Sequence, residues 1–124
     1  MQMLTRKPAD AYRRVDLDAR IEASSGEALT VICLEEASAA LAQALVNLER
    51  EPAGCAREAL TRAHGIFVSL ARGVSNDNPL QEAMHLFYGG LSATIARNLS
   101  RSNAAELQQA RRDIADLLGV VRTA

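Results

Sequence analysis

Apolar residues return every three to four positions along most of the chain, and prolines and glycines break that pattern into four segments. A period near 3.6 places such positions on one face of an α-helix, so each segment predicts an amphipathic helix. The first runs from about Ser24 to Arg50. Ser24 and Glu27 make a capping box for its orphan amides. Val31, Leu34, Ser38, Leu41, Leu45 and Leu48 form its stripe. Glu51, Pro52, Ala53 and Gly54 then make a turn. Proline lacks the amide donor and clashes with the preceding turn, so it marks a boundary.

The second predicted helix spans about Cys55 to Arg72, with Ala56, Leu60, Ala63, Phe67 and Leu70 as its seam. Gly73 to Pro79 is rich in turn formers. The third helix starts at Pro79, in the favoured first position. Its seam is Leu80, Met84, Phe87, Leu91 and Ile95, with Gly89 and Gly90 in its middle. Each glycine there costs about 1 kcal/mol of helix propensity, so the pair points to close helix approach or to a bend. The fourth helix opens at Asn103, with Glu106 completing a box-like cap, and continues through Leu107, Ala110, Ile114, Leu117 and Val121. Short connections force antiparallel neighbours. The expectation is an all-α, up-down four-helix bundle over residues 24–124, preceded by a short N-terminal arm, residues 1–23.

Composition sharpens this. Aromatics are only 3% of the 124 residues and Trp is absent, so the core is built from Leu, Ile, Val and much Ala. Alanine is the best helix former and lets helices approach closely. The net charge of −1 gives no field that favours nucleic acid. Arg6, Lys7, Arg13, Arg14 and Arg20 crowd the arm among Asp10, Asp16 and Asp18, which reads as a solvated segment. Cys33 and Cys55 lack metal-ligand spacing and read as buried, reduced and unbridged thiols. No apolar leader is visible and no stretch reaches about 18 apolar residues, so the expected location is the cytoplasm, without membrane insertion.

Little supports catalysis. The chain carries no Gly-rich phosphate loop, no HExxH and no GxSxG. Glu35 and Glu36 point about 100° apart on a helix and read as solvated surface. No cofactor and no metal site is expected. A small bundle with an exposed histidine suits phosphotransfer, but that chemistry needs a basic residue about one turn on. His64 is followed by Phe67 and Val68, and His85 by Tyr88 and Gly89. A stronger signal is apolar surface beyond what a bundle needs. Leu29 and Ile32 lie nearly opposite the first seam, Leu86 nearly opposite the third, and Val68 well off the second. Single exposed aliphatics are ordinary. Several on three helices suggest a groove, covered by the N-terminal segment or by a partner helix.

The whole pattern resembles the flagellar export chaperone family, FliS. Ala11-Tyr12 stands where that family has an N-terminal Ala-Tyr, and the run from Ala23 to Leu34 stands where it has a capped helix opening with an apolar block. Phe87-Tyr88 with Leu91 and Ile95 matches its third helix, and the likeness covers roughly residues 11–121. The resemblance implies a cytoplasmic, non-enzymatic chaperone. Its client would be the disordered C-terminal segment of flagellin, held against premature polymerisation and kept competent for export. It also implies contact with the flagellar export apparatus and a segment around Tyr12 and Leu17 that covers the groove in the free protein; a monomer is expected, although the sequence leaves self-association open. The expected partner-binding residues are Tyr12, Leu17, Leu29, Ile32, Val68 and Leu86. A phosphotransfer bundle, or a helical interaction module with another client, is the alternative.

Overall fold

The structure, a computed structural model, describes residues 26–123. Four helices account for most of them: α1 (Gly26–Arg50), α2 (Arg57–Gly73), α3 (Gln81–Ser100) and α4 (Ala104–Thr123). No strand occurs among the described residues. The connections, residues 51–56, 74–80 and 101–103, are too short for anything but antiparallel neighbours. The all-α four-helix bundle expected from the periodicity is the fold. The predicted Ser24 cap lies outside the described residues.

Alanine sets the packing. Ala37, Ala40 and Ala44 of α1 are fully buried beside Leu34 and Leu41, and Ala59 and Ala63 are buried beside Leu60 and Phe67 on α2. Small side chains on facing stripes bring the helix axes close. One contiguous core results, which Ile95 joins from α3 and Leu107, Ala110 and Ile114 from α4. The buried stripe of α1 is wider than the predicted line, because α1 packs on both α2 and α4.

Two predicted seams are rotated. On α3 the core residue is Tyr88, and Phe87 is only half-buried against it. The buried line of α3 runs through Tyr88, Leu91, Ile95 and Asn98, and adjacent helical positions differ by 100°. The ring of Tyr88 lies 6.3 Å from that of Phe67 and 5.9 Å from that of Phe87. Burial raises the Tyr88 hydroxyl above its ordinary pKa, and nearby Cys33 adds to the effect. On α4, Leu118 is buried where Leu117 was expected, and Leu117 packs at the core's margin.

The turns explain the helix starts. Pro79 is not the first residue of α3. The Asn78 side chain accepts from the Leu80 amide (2.8 Å) and the Asn78 carbonyl from the Gln81 amide (3.0 Å), so residues 78–81 complete a turn first. Leu80 is left at the helix entrance, 63% exposed. In the α1–α2 turn the Gly54 amide donates to the Glu51 carbonyl at 2.8 Å. A Cβ on Gly54 would stand 3.1 Å from that oxygen, tight enough to explain the glycine.

The α3–α4 turn is built on a buried polar residue that the periodicity did not single out. Asn98 has no exposed surface, and its amide nitrogen donates to the Thr94 carbonyl (2.8 Å) and to Glu106 Oε1 (3.0 Å). Its amide oxygen accepts from the Asn103 amide (2.6 Å), and its carbonyl accepts from the Ser102 hydroxyl (2.8 Å). Asn103 therefore caps α4 in one direction only. The Glu106 amide donates to Asn103 Oδ1 at 3.2 Å, while the Glu106 carboxylate turns to Asn98.

Gly89 and Gly90 are exposed, and a Cβ at either would meet nothing within 4 Å. Close approach of another described helix is therefore not their reason. Gly89→Ala and Gly90→Ala should each raise stability by about 0.5–1 kcal/mol in urea unfolding. A loss of stability would mean that the α3 backbone needs the glycine there.

Candidate functional site

The bundle is not equally closed on every side. α1 packs closely on α2 and on α4, and α2 packs closely on α3, whereas α3 and α4 touch only sparsely. The helices thus form a curved row, α3–α2–α1–α4, with a seam between its two ends. A cavity of about 150 Å³ opens along that seam, walled by Leu91, Thr94 and Arg97 on one side and by Glu106, Ala110 and Asp113 on the other. Arg97 reaches Glu106 across it at 3.6 Å.

Since Asn98 bonds to Glu106, the antiparallel register carries the start of α3 towards the end of α4. Apolar residues occur on both of those stretches. Leu80 and Val120 are 63% and 65% exposed, and Phe87 and Leu117 are half-buried. A helix edge of this kind can bury the apolar face of an added amphipathic segment. Sequence reasoning missed it because Leu80 was assigned to the core and Val120 to no role. The usable signal was the pair Val120-Val121, of which one helix face can bury only one.

The predicted partner-binding residues fare unevenly. Leu86 is 72% exposed on α3, as expected. Leu29 and Val68 are half-buried. Ile32 is buried, with 8% of its surface exposed, although it stands outside the contiguous core. A position on a helical wheel fixes how a side chain leaves its own helix, but not what else reaches it. Leu29 and Ile32 also sit on a helix that does not pack on α3, which carries Leu86. Tyr12 and Leu17 lie outside the described residues.

The acidic pair of α1 is not wholly solvated. Glu35 is exposed and pairs with Arg122 of α4, while Glu36 is half-buried 3.7 Å from Arg62 of α2. Their 100° separation sends them to opposite flanks of α1, so they link three helices and share no site. Among the described residues no group of three or more His, Cys, Asp or Glu is placed to hold a metal ion. His85 is exposed and His64 half-buried.

The cysteines depart from expectation. Both are free thiols, but Cys55 is exposed and Cys33 only half-buried. Cys55 belongs to the turn before α2, where its thiol donates to the Leu99 carbonyl at 3.2 Å beside a shallow cavity of about 290 Å³. Burial raises the Cys33 thiol above its ordinary pKa. Because the thiolate is the nucleophile, iodoacetamide should label Cys55 well before Cys33 near pH 8. Equal rates in the folded protein would contradict this placement.

Helix α1 is also more apolar than expected. Residues 27–50 reach a mean hydropathy of 1.5 over the best 18-residue window, enough by length and composition to cross a membrane. Only about a third of that window is buried in the bundle, so the apolar surface of α1 extends beyond the face that fills the core. Compared with protein-family models, curated proteins and solved structures, the chain matches none of them.

Proposed function

We propose that this chain is a cytoplasmic, non-enzymatic export chaperone for the disordered C-terminal segment of flagellin. One observation carries the reading: the bundle is closed along three helix interfaces and sparsely packed along the fourth, and the two helices that meet there carry the exposed apolar residues Leu80, Leu86 and Val120. An amphipathic segment that is disordered alone can fold by laying its apolar face into such a groove. The sequence resemblance to flagellar export chaperones supplies the client's identity. It also supplies the consequence, since a flagellin whose terminal segment is held cannot polymerise.

Leu86 adds exposed apolar surface on α3, and no reacting group is required of the chaperone. The test is flagellin polymerisation followed by light scattering. An equimolar amount of this protein should suppress filament growth and give a one-to-one complex on size-exclusion chromatography. If the N-terminal segment around Tyr12 and Leu17 covers the groove, as the resemblance implies, deleting residues 1–17 should tighten that complex. Undiminished filament growth and separate elution of the two proteins would leave a helical module with another client.

A further inference from the structure

The cavity in the α3–α4 seam has a floor and a rim of different chemistry. Leu91 and Ala110 line it and are buried, 6% and 2% exposed, so its floor is apolar. Thr94, Arg97, Glu106 and Asp113 line it with more of their surface exposed, so its rim is polar. Its volume of about 150 Å³ falls below the range of about 300–1,000 Å³ that takes a whole small molecule, and suits a single side chain. The two carboxylates of the rim differ in what they already hold. Glu106 accepts from the Asn98 side chain at 3.0 Å and lies 3.6 Å from the Arg97 guanidinium. Asp113 is half-buried and accepts from the Gln109 side-chain amide at 2.9 Å, and no ion pair among the described residues includes it. A segment laid along the seam covers Asp113, and a covered carboxylate must be paired or protonated. An apolar side chain there would desolvate it without compensation, and an acidic one would add like charge beside both carboxylates. A lysine or arginine meets both surfaces, its methylene stem on the apolar floor and its cationic head at the rim.

We propose that this cavity is a subsite for one lysine or arginine of the bound segment, with the stem on Leu91 and Ala110 and the head paired with Asp113. The inference rests on the reading of the seam as a segment-binding groove, and it names the side chain that the groove selects.

Calorimetric titration of a flagellin C-terminal peptide into the full chain tests it. Each lysine and arginine of the peptide is replaced in turn by norleucine, and the protein carries Asp113→Asn, which keeps the acceptor for Gln109 and removes only the charge. Asp116→Asn is the control, since Asp116 is exposed on the same helix and does not line the cavity. The expected result is an affinity loss of at least about fivefold for Asp113→Asn and less than about twofold for Asp116→Asn. One norleucine substitution should cause a similar loss in the parent and none in Asp113→Asn, where the pair is already broken. Should the flagellin peptide not bind, a designed amphipathic helix with one lysine in its apolar face, and its norleucine counterpart, take its place. The parent should then prefer the lysine form, and Asp113→Asn should not. Additive losses in correctly folded variants, or equal effects of Asp113→Asn and Asp116→Asn, would overturn the subsite and leave the groove standing. No binding of either peptide would overturn both. A tighter complex with Asp113→Asn would mean that the chain's own basic arm fills the cavity, and would likewise overturn the proposal.

Discussion

Phe67→Ala should lower the unfolding free energy by about 3–5 kcal/mol, read as a shift in the urea midpoint at unchanged slope. Phe67 has no exposed surface, and its ring contacts Tyr88 across the α2–α3 interface. Truncation removes the ring's transfer free energy and leaves a cavity beside Tyr88 in the core. A domain of this size is stable by only about 5–15 kcal/mol, so the loss is a large share of the total. Phe87→Ala is the matched control. Phe87 lies one position from Tyr88 but is half-buried, and its loss should cost about 1–2 kcal/mol. Costs in the reverse order would mean that α3 is rotated the other way.

The second large effect is expected at Asn98. Asn98→Ala should cost about 2–4 kcal/mol, because it removes three side-chain hydrogen bonds and leaves the Asn103 amide and the Glu106 carboxylate without that partner. Asn98→Asp is more informative, since it keeps the shape and the acceptor for Asn103. It replaces the donor to Glu106 with a second carboxylate about 3 Å away, at a position that has no exposed surface of its own. Burial and like charge both hold the introduced carboxyl above its unfolded pKa. The sign follows from linkage. The neutral form is favoured in the folded state, so the penalty is small at low pH and grows as pH rises through the carboxylate range. Urea unfolding of Asn98→Asp at about pH 4 and pH 7, each relative to the parent, should show the larger deficit at pH 7. An equal deficit at both would mean that Glu106 does not face Asn98 in solution.

Most of the fold was legible because helical periodicity and turn chemistry are local. Pro52 and Gly54, the Gly73–Pro79 stretch and the Asn103 cap delimit the helices to within two residues of where they begin and end. What failed depended on neighbours. Phe87 and Tyr88 are adjacent aromatics, each able to serve as a core residue, and only the packing of α3 on α2 decides for Tyr88. Asn98 reads as a polar position on a helix until α4 folds back over it. Its companions Thr94, Ser102, Asn103 and Glu106, clustered within a few turns, were the available hint. The open seam was harder still. Each helix carries an apolar stripe, and nothing in a single stripe says which pair of helices will pack loosely. Ile32 shows the same limit, since a wheel angle places it off the seam and yet it is buried.

Calorimetric titration of a flagellin C-terminal peptide into the purified chain tests the central claim most directly. The account predicts saturation at one peptide per chain, with the negative heat-capacity change that marks apolar burial. Leu80→Asp, Leu86→Asp and Val120→Asp place a charge on already exposed positions and should leave the fold intact. Those of them under the bound segment should weaken binding at least tenfold, a difference of about 1.4 kcal/mol. Absence of saturable heat up to about 100 μM peptide, near −5.5 kcal/mol of binding free energy, would contradict the account. So would an affinity left unchanged by all three substitutions in correctly folded protein.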